Sequence, residues 1–168
     1  TRLRTVTGVQ TCALPISWAN FDLQTPMANA LAIPTKVAND ADIQGAAVIS
    51  GKGLEFVMTL GTGVGTALFQ NGILLPHLEL GHAPFRQSEE FEEQIGNAAR
   101  ERIGVERWTK RVIKAISKYN QFLYFDHCYV GGGNAKHLKG IDLGPNVTRV
   151  SNKAGILGGA RIWDLEAS

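Results

Sequence analysis

Between Leu54 and Leu75 the sequence reads LEFVMTLGTGVGTALFQNGILL, and this stretch limits the possible folds more than any other. Leu54 to Leu60 and Thr66 to Leu75 are apolar runs of strand length. The second is broken at Asn71-Gly72, the dipeptide that supplies both positive-φ positions of a type I′ hairpin. Three antiparallel strands follow. Gly61-Thr62-Gly63-Val64-Gly65 joins the first two, and glycines at alternate positions let backbone amides close around phosphate oxygens with no Cβ in the way. Thr62 can add a hydroxyl donor. No helix follows the loop, so it is neither a Walker nor a Rossmann loop. A plain tight hairpin accounts for these residues equally well.

The rest of the chain supplies helices and further strands. Val37 to Asn39 reads as a short strand end, and Asp40 opens a small-residue helix through Ile49. A helical stretch begins near Glu89. Trp108, Val112, Ile116, Tyr119 and Leu123 recur every three or four residues, which predicts one buried helix face. Arg107, Lys110, Arg111, Lys114 and Lys118 recur beside them, a pattern that fits a solvated face or a track for an extended polyanion. His127 to Val130 reads as a strand running into Gly131-Gly132-Gly133, Val147 to Val150 as another, and Ala154 to Leu165 as a closing helix. Strands first in antiparallel order and then in βαβ alternation predict an α/β fold, a mixed sheet with packed helices.

Composition narrows the class. With 168 residues, 44% hydrophobic and 19% charged, the chain can bury one core, which excludes disordered, collagenous and disulfide-scaffold classes. A net charge of +2 gives no footprint for nucleic acid or a membrane surface. Val6 to Ile16 reads VTGVQTCALPI, which resembles the translation of a common sequencing-library adapter, so residues 1–17 are expected to be non-native. Without them Arg2, Arg4 and Cys12 are lost, acids and bases balance, and Cys128 stands alone. Neither a disulfide nor a cysteine zinc site can then form within the chain, and a cytoplasmic location is expected.

Three further motifs carry chemistry. Asn39-Asp40-Ala41-Asp42 lies where an Asp could hold a proton acceptor at a cleft, although Asn and Asp are also ordinary N-caps. Asp42 reads as a first-turn acid favoured by the helix dipole. In Glu79-Leu80-Gly81-His82 the carboxylate and imidazole can both meet a polyol, against the alternative of a solvated surface turn. Gly131-Gly132-Gly133-Asn134 follows a strand, where open α/β sheets bind ligands.

Taken together and in this order, NDAD at 39–42, MTLGTGVGTALFQNG at 58–72, ELGH at 79–82 and YVGGG at 129–133 resemble the ROK family of sugar kinases and sugar-responsive repressors. ERWTKRV at 106–112 and SNKAGILGGA at 151–160 resemble its polyphosphate/ATP glucokinase branch. The resemblance runs from Ala38 to Trp163. It implies an actin-like ATPase (ribonuclease H-like) fold, mainly the C-terminal lobe, and transfer of a phosphoryl group from polyphosphate or ATP to the 6-hydroxyl of glucose. Asp40 would be the catalytic base, with Asn39, Asp40, Glu79 and His82 on the sugar. Gly61, Thr62, Gly63 and Gly65 would face the transferred phosphate, and Gly131, Gly132 and Gly133 the nucleotide. Mg²⁺ would accompany the donor.

The departures shape the remaining expectations. The zinc motif that many relatives carry after the His is missing, so no zinc or other protein-held metal is expected. The family's Asp-x-Gly-Gly-Thr loop does not occur in the sequence. The expected organisation is therefore an adapter-derived segment at 1–17, a remnant of the N-terminal lobe at 18–53 and the C-terminal lobe at 54–168, the chain by itself turning over poorly. The expected partners are glucose and polyphosphate or ATP, with no nucleic acid or membrane and with a homodimer as an option. The other class of function is the sugar-sensing domain of a ROK-type repressor.

Overall fold

The computed structural model describes residues 21–151 and 154–164. The readings made for residues 1–17 and for the last residue of the closing helix lie outside them. In chain order the elements are α1 (Gln24–Leu31), α2 (Asp40–Val48), β1 (Leu54–Leu60), β2 (Val64–Gln70), β3 (Ile73–Leu74), β4 (Pro84–Arg86) and β5 (Glu89–Glu90). There follow α3 (Phe91–Ile95), α4 (Asn97–Ile103), α5 (Val105–Leu123), β6 (His127–Gly131), β7 (Val147–Arg149) and α6 (Ala154–Arg161). Single 3₁₀ turns at Leu80–His82 and Gly133–Leu138 follow β3 and β6.

The main sheet has the order β3-β2-β1-β6-β7. β1 runs antiparallel to β2, from Leu54 opposite Gln70 to Leu60 opposite Val64, and parallel to β6, from Glu55 beside His127 to Thr59 beside Gly131. Asn71 and Gly72 at the β2–β3 turn have φ of 50° and 85°, as the type I′ reading requires.

Alternation along β1 sends side chains to two cores. Phe56, Met58 and Leu60 face α3, α4 and α5, where they meet Phe91, Ile95, Trp108, Val112 and Tyr119. The Phe91 ring stacks on Tyr119 at 4.0 Å and on Phe85 at 4.5 Å, and Trp108 Nε1 donates to the Ile95 carbonyl at 2.7 Å, so the indole is buried with its polar atom satisfied. Val57 faces the other way, with Phe69, Tyr129, Ala41 of α2 and Ile49, which caps that helix. A Cβ on Gly45 of α2 would run into the Phe69 ring, which is why this helix can lie flat on the sheet.

Five sequence readings shift. The closing helix, read to Leu165, ends at Arg161, and residues 162–164 form a turn. Residues 37–39 form no strand; the chain there is irregular and Asn39 caps α2. The helix read from Glu89 begins at Phe91, because Glu89 and Glu90 pair with Arg86 and Pro84 in a small hairpin. Its turn residues, Gln87 and Ser88, have φ of 54° and 62° without a glycine to signal them. Leu123 is half-buried where the other four residues of its stripe are buried. Helix α1 was not anticipated: it buries no residue and so has no apolar stripe to read.

Candidate active site

The cleft is built at the carboxyl ends of β1 and β6, where α2 begins. Asn39 has extended backbone (φ −66°, ψ 151°), and its side chain accepts from the Ala41 amide at 2.9 Å, so Asn39 is the N-cap and Asp40 is left free of that duty. Among the described residues the Asp40 carboxylate accepts no hydrogen bond. It faces the second strand: a Cβ on Gly65 would stand 3.5 Å from Asp40 Oδ1 and 3.2 Å from Ala41 Cβ. Gly65 is thus a glycine of close approach, and Asp40 and the end of the glycine loop border one space. The carboxylate can take a proton from a hydroxyl placed there.

Asp42, two residues on, is buried, and burial pushes its carboxyl up, with His77 opposing the shift. His77 Nδ1 lies 3.4 Å from Asp42 Oδ1 and its Nε2 3.2 Å from Glu79 Oε1. The imidazole therefore ties the Glu79 turn to α2. The sequence reading named Asp42 as a first-turn acid and missed His77; a histidine two residues before the Glu of a polyol motif was the available signal. The turn is seated on β2 as well, since a Cβ on Gly81 would collide with the Val64 carbonyl, and Tyr119 Oη donates to the Leu80 carbonyl at 3.0 Å. His82 Nδ1 lies 2.7 Å from Glu90 Oε2, and that hydrogen bond raises the imidazole above its ordinary value. Glu79 is thus tied through His77 to α2, which Asn39 and Asp40 begin, while His82 is held by Glu90.

In the glycine loop the Gly61 amide donates to the Gly63 carbonyl at 3.0 Å, and the Val64 amide to Glu92 Oε2 at 3.4 Å. Thr62 is exposed, and its carbonyl accepts from the Asn97 amide at 3.1 Å. The amides of Thr62 and Gly63 are the ones left to meet an anion among the described residues. A Cβ on Gly61 would touch nothing within 4 Å, so its surface is open to a ligand.

The three glycines at the end of β6 divide by cause. Gly132 has φ of 85°, and a Cβ there would lie 2.5 Å from the Leu60 backbone, so backbone conformation and packing both require its glycine. Gly131 faces Gln44 Oε1 and Val150 at 3.3 and 3.2 Å, while Gly133 has nothing within 4 Å of such a carbon. Asn134, quoted in the sequence motif without a role, is buried and donates through Nδ2 to the Gly61 carbonyl at 2.9 Å and to Asn97 Oδ1 at 3.3 Å. It locks the two glycine loops together.

A second polar centre lies at the other end of the sheet. Glu55 is fully buried and accepts from the Ser50, Gly51 and Lys52 amides at 2.7, 2.8 and 3.2 Å and from Tyr129 Oη at 3.0 Å. Burial alone would raise this carboxyl, but the amides and the phenol hold it below the usual range. Among the described residues no group of three or more His, Cys, Asp or Glu could hold a metal ion, and no helix is long and apolar enough to cross a membrane.

No family model matches the chain. Over 138 residues it is 34% identical to a polyphosphate glucokinase of Mycobacterium tuberculosis (strain ATCC 25177 / H37Ra), a match that takes in 74% of this chain and 52% of that protein. The chain spans about half the length of the curated relatives it matches. Its structure resembles the inorganic polyphosphate/ATP-glucomannokinase from Arthrobacter sp. strain KM, with a TM-score of 0.77 and 29% identity over 92% of this chain and 66% of that one. A ROK hexokinase from Thermus thermophilus shares the fold, with a TM-score of 0.67 at 18% identity over 84% of this chain and 69% of that one. The mixed sheet with helices on both faces is that of the actin-like ATPases. By its motifs, its relatives and its fold, this chain is similar to the sugar kinases of the ROK family and, in sequence, to polyphosphate glucokinases.

Proposed function

We propose that the chain carries the sugar side and the catalytic base of a phosphotransferase that moves a phosphoryl group from polyphosphate or ATP to the 6-hydroxyl of glucose. The observation that carries this reading is Asp40: its carboxylate borders the glycine loop across Gly65 and accepts no hydrogen bond among the described residues. In the reaction Asp40 takes the proton as the sugar oxygen bonds to phosphorus and the bond from phosphorus to the donor oxygen breaks. Asn39, Glu79 and His82 hold the sugar hydroxyls. The Thr62 and Gly63 amides, with the Thr62 hydroxyl, meet charge on the transferred group, and Gly131 and Gly133 give a nucleotide a flat approach.

Mg²⁺ would come with the donor, where its chemistry is to neutralise phosphate charge. An ion of this kind takes one or two carboxylates besides phosphate and water. Glu92, against Gly63, is the carboxylate beside the loop that would hold it, which leaves Asp40 to the sugar hydroxyl.

The sequence holds no Asp-x-Gly-Gly-Thr run, and we propose slow turnover for the chain on its own. Glucose binding is then the decisive measurement. Calorimetry should show glucose binding to residues 18–168 that weakens in Glu79→Gln, and absence of any sugar binding would defeat the reading. Glucose 6-phosphate formed from ATP and from polyphosphate, with Asp40→Asn as control, tests the rest. Turnover near that of an ordinary kinase, abolished in the control, would refute the slow-turnover proposal while supporting Asp40 as base.

A further inference from the structure

The basic stripe of α5 does not stay in solvent. Lys110 reaches Glu106 at 2.9 Å, and Lys114 and Lys118 are exposed, but Arg111 turns inward and is half-buried. Its Nη1 is enclosed and has no hydrogen-bond partner. A buried charged donor left without an acceptor is costly, and ordinarily a carboxylate or a ligand answers it.

What surrounds Arg111 makes the deficit larger. Burial, and then the charges of Arg86 from β4 and Arg102 from the last turn of α4, pull its guanidinium below the ordinary value. Arg107 adds to the same field and Glu89 opposes it. Glu89 is already engaged, since its Oε2 accepts from Gln94 Nε2. Arg102 Nη2 spends one donor on the Glu93 carbonyl at 3.3 Å. Among the described residues none of these arginines forms an ion pair. Arg86, Arg102 and Arg111, from three separate elements, therefore share one field, in which Glu89 is the carboxylate that opposes them.

Position gives the cluster a ligand class. α4 starts at Asn97, whose amide holds the Thr62 carbonyl in the glycine loop, and it carries Arg102 one residue before its end. At 1.5 Å of rise per residue, loop and cluster stand about 8 Å apart along that helix. One phosphate cannot touch both. A linear polyanion with its end in the loop can.

We propose that Arg86, Arg102 and Arg111 form a subsite for the trailing phosphates of an inorganic polyphosphate donor whose terminal phosphate lies at Gly61–Gly65. The inference rests on polyphosphate as donor and adds where its chain runs. Arg86 and Arg102, whose side chains are reachable from solvent, supply the forked contacts to phosphate oxygens. Arg111 supplies the enclosed charge behind them.

The test uses the chain itself, with medium-chain polyphosphate, tripolyphosphate and ATP titrated separately by calorimetry. Arg86→Gln with Arg102→Gln should weaken the medium chain by about tenfold or more and flatten its salt dependence, leaving tripolyphosphate and ATP little changed. Lys114→Gln with Lys118→Gln removes the same charge from the exposed part of α5 and should change little. An equal loss in that control would show a diffuse field and overturn the subsite, as would an equal loss for tripolyphosphate or failure of the unaltered chain to bind the medium chain. Arg111→Gln, with its fold checked by circular dichroism, should reproduce the double variant. Glucose binding, followed in the same samples, reports on the sugar site by itself: retained glucose binding with no polyphosphate binding defeats only the subsite.

Discussion

A side-chain carbon on Gly65 would stand 3.5 Å from Asp40 Oδ1, so the end of the glycine loop and the free carboxylate form one wall. The same carbon would press on the Thr59 hydroxyl at 2.6 Å and on Ala41 Cβ at 3.2 Å. Gly65→Ala should cost about 1–3 kcal/mol by overpacking, read as a lower urea midpoint. Gly61→Ala, with nothing within 4 Å, should leave the midpoint almost unchanged and instead weaken binding of phosphate compounds. Equal stability losses in the two variants would show that the contact at Gly65 is not tight.

His77 is expected to act as a positioning residue. Removing it in His77→Ala frees Glu79 and leaves the buried Asp42 without its imidazole, so the Asp42 carboxyl should rise further and glucose affinity should fall. His77→Gln, which can still donate to one of the two acids, should recover part of the affinity. Carbon-detected NMR of the carboxyls follows Asp42 directly; an unmoved Asp42 would remove the proposed link.

Glu55 makes stability depend on acid. Its folded value is depressed, so its contribution is present above the ordinary carboxyl value of 4.5 and is lost as pH falls through the lower folded value. Glu55→Gln should cost about 2–3 kcal/mol at neutral pH, because three amides and a phenol lose a charged acceptor. The variant should also flatten the drop in urea midpoint below pH 4.5. A parallel drop in both proteins would assign the acid sensitivity elsewhere.

For His82 the sign is opposite. Its folded value is raised, chiefly by the bond to Glu90, so its stabilisation is complete below the ordinary value of 6.5 and is lost as pH rises through the higher folded value. Proton NMR should show the ring titrating above 6.5, and Glu90→Gln should bring it down. A titration unchanged by that substitution would mean that Glu90 does not hold the ring.

Legibility in the sequence followed how local each signal was. The β2–β3 turn could be read because Asn71-Gly72 names its own backbone angles, and the α5 face because Trp108, Val112, Ile116 and Tyr119 repeat with the helix. The β4–β5 turn was missed because Gln87 and Ser88 adopt the same left-handed angles without the usual residues. In the cleft, the motif residues Asp40 and Glu79 could be named from neighbours in sequence. His77 on Asp42, Asn134 between two loops and Glu92 on the Val64 amide depend on contacts spanning 28 to 73 residues, and beyond the place of His77 two residues before Glu79 the pattern along the chain carries no trace of those. The inward turn of Arg111 was hidden likewise, since periodicity places it beside the stripe without saying which way its long side chain goes.

The parallel register that sets Thr59 beside Gly131 works as a ruler for the cleft. Both glycine loops leave the sheet from that rung, so their separation starts from the interstrand spacing of about 4.8 Å, a length fixed by backbone hydrogen bonds. Side-chain replacement cannot stretch it. A change of sugar or donor on this scaffold is therefore confined to what the loops display, while the gauge between them stays constant.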